Sequence, residues 1–134
     1  MFNRWVKFNA VGAAGFVVQL GTVWLSVELG DMPFVVATLV ATELAVVHNF
    51  VWHSRWTWMD RAAMPAQMLG RFVRFNLTNG AVSLAGNASL VALLTDWMNV
   101  PYIAANVAGI AVCCILNFLL SELFVFAPND VPAT

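Results

Sequence analysis

Four apolar runs, about residues 9–28, 33–53, 75–95 and 102–126, limit what this chain can become. Each is close to the roughly 20 residues that a helix needs to cross a hydrocarbon core of about 30 Å. Lipid offers no partner to a bare N–H or C=O, so such runs must be helices that satisfy their own backbone. Hydrophobic residues make up 61% of the 134 and charged residues 10%, against about 45–50% and about 25% in soluble domains. A water-soluble bundle of this size has too little interior to hide that much apolar surface. The expected fold class is an all-α membrane protein, a single domain of four transmembrane helices.

Charge placement orients those helices. All six Lys and Arg (Arg4, Lys7, Arg55, Arg61, Arg71 and Arg74) precede residue 8 or fall between 55 and 74. Basic flanks stay on the cytoplasmic side. Both termini and the 54–74 loop are therefore expected in the cytoplasm, and the loops carrying Glu28, Asp31 and Asp96 outside. The expected location is the inner (cytoplasmic) membrane, multi-pass. The first run is not read as a signal sequence, because it is longer than a typical signal core.

The chain also writes its opening twice. Arg4-Trp5-Val6-Lys7-Phe8-Asn9 returns as Arg71-Phe72-Val73-Arg74-Phe75-Asn76, 67 residues later. Pro33-Phe34 returns as Pro101-Tyr102, Asn49-Phe50 as Asn117-Phe118, and Trp56-Thr57-Trp58 as Phe124-Val125-Phe126, now 68 apart. The offset is 67 at the start of the repeat and 68 after the first hairpin loop, so one single-residue insertion reconciles the halves. Such self-similarity marks a duplicated supersecondary unit. The expected division is repeat one at 4–58, a cytoplasmic connector at 59–70, repeat two at 71–126 and a short tail at 127–134. Two spans per repeat keep both copies in one orientation, the parallel-repeat case, and predict a four-helix bundle with a pseudo-twofold axis along the membrane normal. Pro33 and Pro101 open the second helix of each hairpin, where a missing N–H costs nothing.

Polar residues recur at helical spacing on one face of each span. The faces carry Asn9, Gly12, Gly15, Gln19, Thr22 and Ser26 in the first and Thr38, Thr42, Asn49 and His53 in the second. In the third they are Asn76, Asn79, Gly80, Ser83, Gly86 and Asn87, and in the fourth Asn106, Gly109, Cys113 and Asn117. Small and amide residues let membrane helices approach and bond across the contact, so these stripes are either packing seams or a partly hydrated groove. Asn and Gln, which turn to partners outside their own helix more often than Ser and Thr, favour the groove. The aromatics at 5, 8, 52, 56, 58, 72, 75, 124 and 126 read as an interfacial belt on the basic side, with Trp24, Trp97 and Tyr102 on the other.

Few residues can carry chemistry. Glu43 stands mid-span, where an ionised carboxylate costs at least about 2.5 kcal/mol. It is either a proton or cation site, or a protonated side chain bonded to a neighbouring helix or second protomer. The pairs Arg4/Lys7 and Arg71/Arg74, joined by Arg55, either anchor to anionic lipid or converge on one entrance and grip phosphate oxygens. No metal or cofactor is expected. His48 and His53, five apart, point in different directions, and the adjacent Cys113 and Cys114 diverge by about 100° on a helix. No catalytic constellation or nucleotide-binding Gly loop is present in these 134 residues, so the expectation is a transporter-like protein and not an enzyme, with no nucleic-acid partner.

The Arg-Trp-Val-Lys-Phe-Asn-Ala-Val-Gly opening, Asn49-Phe50 ahead of Arg55-Trp56-Thr57-Trp58, Arg71-Phe-Val-Arg-Phe-Asn76, Asn99-Val100-Pro101 and Asn117-Phe118 together resemble the GtrA-like family of small four-span bacterial membrane proteins. The resemblance covers roughly residues 4–126. It implies a role in cell-surface polysaccharide synthesis, moving a polyprenyl-phosphate-linked sugar from the inner to the outer leaflet. On that reading Arg4, Lys7, Arg71, Arg74 and Arg55 take the phosphate. Asn9, Gln19, Asn49, Asn76, Asn79, Asn87, Asn106 and Asn117 meet sugar hydroxyls along the groove, and Glu43 supplies a proton-linked switch or a hydrogen bond. Partners are then the lipid-linked sugar, membrane lipids, a polyprenyl-phosphate glycosyltransferase and a second copy in a homodimer. Two other classes are weighed: a non-transporting anchor or partner of such a glycosyltransferase, and a small proton-coupled exporter of cationic compounds.

Overall fold

The computed structural model describes residues 1–61 and 63–128. Its elements are four long helices, α1 (Phe2–Glu28), α2 (Phe34–Thr57), α3 (Pro65–Trp97) and α4 (Tyr102–Val125), each long and apolar enough to cross a membrane. A short 3-10 turn, Met59–Arg61, follows α2. No strand occurs among the described residues. The chain divides into two compact units, Met1–Ala62 and Ala63–Thr134, each a helical hairpin.

The helices overrun the apolar runs. α1 begins at Phe2 and so carries Arg4 and Lys7 on its first turns. α3 begins at Pro65, so residues 65–70 of the expected connector are helical. Pro65 fits there because its absent N–H would have had no partner, and Met64 N–H is taken by Gln67 Oε1 at 3.3 Å. Of the expected tail, Ala127 and Pro128 are described and 129–134 lie outside the described residues.

The two hairpins repeat bond for bond. Asp31 (φ 47°) and Asn99 (φ 53°) take the left-handed conformation at the two turns, which Asp and Asn tolerate best among residues with a side chain. Met32 N–H donates to Ser26 O at 3.0 Å, and Val100 N–H to Leu94 O at 2.9 Å. At the other end α2 and α4 each finish in a π turn, His53–Thr57 and Ser121–Val125. Trp58 N–H closes the first onto His53 O and Phe126 N–H the second onto Ser121 O, both at 2.8 Å.

The structure locates the extra residue of the second repeat ahead of the hairpin loop. Phe8 meets Trp58 edge-on at 6.1 Å and Phe75 meets Phe126 edge-on at 6.3 Å, so these first-helix positions are 67 apart. Farther along, Gly15 faces Asn49, whereas Ser83 Oγ accepts from Asn117 Nδ2 at 3.2 Å, and these positions are 68 apart. The insertion therefore lies between Phe75 and Ser83, inside α3. The helix widens there into a π turn, Val82–Gly86, which admits one more residue while keeping backbone bonds within the helix.

Small residues set the seam of each hairpin. Ala37, Ala41 and Ala45 are the buried stripe of α2, and Ala105, Gly109 and Cys113 occupy the same positions in α4. Cys113 Sγ donates to Val82 O at 3.4 Å, a carbonyl at the start of the π turn. A Cβ on Gly15 would stand 2.7 Å from Asn49 Cγ, and one on Gly109 would collide with Asn87 Oδ1 and sit 3.2 Å from Val91 Cγ2. The helices meet this closely because nothing larger intervenes. Gly15→Ala is expected to lower hairpin stability by about 1–3 kcal/mol through overpacking. Gly12→Ala and Gly21→Ala, which meet nothing within 4 Å, leave it unchanged or slightly raised. Thermal unfolding of the three variants in detergent, followed by circular dichroism, checks the contrast.

Candidate functional site

In unit 1 the basic residues gather where α1 starts and α2 ends. Arg4 forms an ion pair with Asp60 of the 3-10 turn. One turn on, the Lys7 ammonium donates to Trp56 O at 3.3 Å and lies 5.4 Å from the centre of the Trp56 ring. Arg55 is exposed on the π turn. Behind these charges is an aromatic knot. Phe8 and His53 stack with centroids 4.7 Å apart and planes 11° off parallel. Trp58, fully buried, stands edge-on to both, and His53 Nδ1 shares a hydrogen bond with Thr57 Oγ1 at 3.0 Å. The π turn makes the knot possible. Its wider coil swings the chain back so that His53 and Trp58 both reach Phe8.

Beside the knot a groove runs between α1 and α2. Ala10, Val11 and Ala14 form its floor and His48, Trp52 and Trp56 its wall, around about 300 Å³. Three aromatic rings at four-residue spacing share one helix face. His48 Nδ1–H donates to Asn49 Oδ1 at 3.2 Å.

Unit 2 builds the corresponding end differently. Arg71 is 1% exposed, and its guanidinium lies 5.2 Å from the centre of the Phe126 ring. Arg74 is half-buried. Glu122, equally unexpected in an apolar interior, is also buried here, in the π turn that packs against α3. The reading of Arg71 as part of an exposed entrance is corrected by this burial: its side chain stands inside the hairpin end, over a ring. The belt reading of Phe8, Trp58, Phe75 and Phe126 is corrected likewise, since all four are buried. Hydropathy scores apolar surroundings without telling lipid from protein.

The amides serve mostly to close seams. Gln19 Nε2 donates to Thr42 Oγ1 at 3.1 Å and Asn117 Nδ2 to Ser83 Oγ, both across a hairpin. Asn49 and Asn87 fill the spaces over Gly15 and Gly109. Asn9, Asn79 and Asn106 bond back to the carbonyls of Trp5, Phe75 and Tyr102, at 2.8, 3.0 and 3.0 Å. The expectation that such amides turn to partners outside their own helix is corrected for Asn79 and Asn106. Asn76 is half-buried at the basic end of α3. Glu43 is exposed on α2, among Leu39, Val40, Leu44 and Val47. The sequence reading missed the π turns, Glu122 and the groove. The recurrence of Trp56-Thr57-Trp58 as Phe124-Val125-Phe126 was the available signal for the first.

The family described as GtrA/DPMS, transmembrane domain, matches residues 7–126, which takes in both hairpins and both π-turned ends. The chain belongs to this family. It is also similar to the dolichol-phosphate mannosyltransferase of Pyrococcus furiosus, at 30% identity over 120 residues, 90% of this chain and 33% of that protein. The GtrA/DPMS chain thus spans about a third of that relative. Membership makes the four apolar helices transmembrane helices and bears out the family resemblance drawn from the repeated motifs.

Burial of the Arg71–Phe126 contact gives it structural weight in this GtrA/DPMS domain. Phe126→Leu removes the ring beneath the guanidinium and is expected to lower stability by about 2 kcal/mol, the scale of a desolvated cation–π contact. Arg55→Gln, on the exposed face of the other hairpin's turn, is expected to be neutral. Unfolding temperatures of the two variants in the same detergent decide it.

Proposed function

We propose that this GtrA/DPMS domain moves a polyprenyl-phosphate-linked sugar from the cytoplasmic to the outer leaflet of the inner membrane, as a homodimer, for cell-surface polysaccharide synthesis or modification. The observation that carries this reading is the gathering of the described cations at one end of each hairpin, against family membership. Lys7 and Arg55, at the basic end of unit 1, receive the phosphate at the cytoplasmic surface. Arg4 is shared with Asp60. Because each hairpin is closed along its seam, by Gln19 on Thr42 in one and Asn117 on Ser83 in the other, the sugar travels along hairpin surfaces and not through a hairpin. The prenyl tail stays in the bilayer.

A leaflet-sidedness assay in proteoliposomes, loaded with a short-chain prenyl-phosphate hexose, tests the proposal. The wild-type protein is expected to equilibrate the probe between leaflets. The double variant Lys7→Gln/Arg55→Gln should slow that transfer at least tenfold, about 1.4 kcal/mol in barrier. Transfer at the wild-type rate in the double variant removes the cationic entrance from the mechanism.

A second reading has its own support. The Pyrococcus furiosus relative is named a mannosyltransferase, and this chain matches a third of it. A membrane module that positions a polyprenyl-phosphate glycosyltransferase, without transport, fits that coverage. It is favoured if the protein co-purifies with such an enzyme and the pure protein moves no probe.

A further inference from the structure

The groove of unit 1 has a construction that the hairpin does not require. Its wall, His48, Trp52 and Trp56, descends α2 in steps of four residues, about 6 Å each. Aromatic belts fix helix depth at the membrane surface, and Trp56, beside Lys7, is placed for that. Trp52 and His48 lie one and two turns deeper, where depth-setting has no use for them. The second repeat confirms that the fold does without them: the same positions hold Leu116, Leu120 and Phe124, and Leu77 replaces the floor residue Ala10. Repeat one alone combines an Ala-lined floor with a wall of three aromatic rings, of which His48 and Trp52 are tilted 54° to one another.

We infer that this groove takes the sugar ring of a glycosyl-phosphate lipid, with the ring stacked on Trp52 and Trp56 and the phosphate held at Lys7. The inference rests on the proposed function and names the subsite within it. A pyranose presents a patch of weakly positive C–H bonds on one face and hydroxyls around its rim. An indole face, negative through its quadrupole, takes the C–H patch. The rim meets His48. With Nδ1 turned to Asn49 Oδ1 at 3.2 Å, Nε2 is the ring nitrogen left to meet a sugar hydroxyl. The Lys7 ammonium, 5.4 Å from the centre of the Trp56 ring, puts a positive charge beside the end of the wall, where it can meet a phosphate attached to that sugar. The volume of about 300 Å³ is at the small end of ligand pockets. It is enough for one sugar ring. Charge beside the end of the wall and aromatic faces along it favour this occupant over a bulk acyl chain, which has no use for either.

The test measures binding of two probes to the full chain in nanodiscs of uncharged lipid: farnesyl phosphate, and farnesyl phosphate carrying one hexose (glucose and mannose tested separately). A hexose is expected to tighten binding at least tenfold in the wild-type protein. Trp52→Leu and Trp56→Leu should erase that increment while leaving farnesyl phosphate within twofold, and Trp52→Phe, which keeps a ring, should recover part of it. Ala14→Phe, which fills the floor without touching the wall, should erase it too and serves where a Trp variant does not fold. The inference is overturned if neither hexose tightens binding, if the increment survives these variants, or if both probes are lost together, which would mark the groove as a seat for the prenyl tail. The leaflet assay separates the two claims. Transfer by a protein that shows no hexose increment sinks the subsite alone; a hexose increment with no transfer sinks the transport reading and leaves the subsite standing.

Discussion

Every backbone N–H of a membrane span must find its carbonyl inside the helix, because lipid supplies none. That requirement governs how this chain handles both a surplus residue and a change of direction. In a soluble domain the residue that distinguishes the second repeat from the first could be looped out into water. Here it is taken into α3 as the π turn Val82–Gly86, and the hairpin ends tighten back through π turns at His53–Thr57 and Ser121–Val125. Each such turn lets the chain change register while the bonds continue, and a changed register is a changed face. The π turn at His53 brings His53, Thr57 and Trp58 round to Phe8. The chemistry at the basic end is thus a consequence of backbone bookkeeping.

Close approach is the second consequence. With water absent there is little hydrophobic drive between spans, and contact depends on packing. Ala37, Ala41 and Ala45 against α1, and Ala105, Gly109 and Cys113 against α3, bring backbones near enough for single amides to bridge them. Asn49 over Gly15 and Asn87 over Gly109 fill space that a methyl group would contest. Amides placed in this way hold each hairpin shut. The Ala10/Ala14 floor is the same device with the partner side chain pulled back, and a groove is what remains.

Much of the architecture was readable in the residues. Run length and composition fixed four helices, and the repeated Arg-x-x-Arg/Lys-Phe-Asn opening fixed two equivalent hairpins and the family. Three matters were not readable, each for a physical reason. The offset between repeats shows that a residue was added but not how the backbone absorbs it. Hydropathy placed Trp58 and Phe126 in apolar surroundings, which a protein interior and a lipid belt share, so their burial could not be foreseen. For Asn79 and Asn106 the choice between a distant partner and the carbonyl one turn back depends on rotamer and local crowding, which spacing does not encode. Arg71 is the instructive case: the motif marks it as the twin of Arg4, yet Arg4 pairs with Asp60 in space, and the position matching Asp60 in the second repeat is Pro128. Arg71 is buried over Phe126 instead.

Duplication kept the skeleton and let the sides diverge. The turn residues Asp31 and Asn99, the small stripes and the closing π turns agree between hairpins, while the side chains on the basic-end turns do not. His53-Ser54-Arg55 in one hairpin is Ser121-Glu122-Leu123 in the other, and the wall His48, Trp52, Trp56 is Leu116, Leu120, Phe124. Two copies doing one job in one way would have drifted towards equivalent surfaces there. Instead one hairpin end has an exposed cation and an aromatic groove, and the other a buried Arg and a buried Glu. A buried charged group demands a satisfied, ordered surrounding, which favours rigidity. An open groove with a Lys beside it favours exchange with a ligand. The residues that look most alike in sequence, the paired cations, are thus ones that the fold treats differently: Arg4 pairs with Asp60 at the surface, and Arg71 is buried over Phe126.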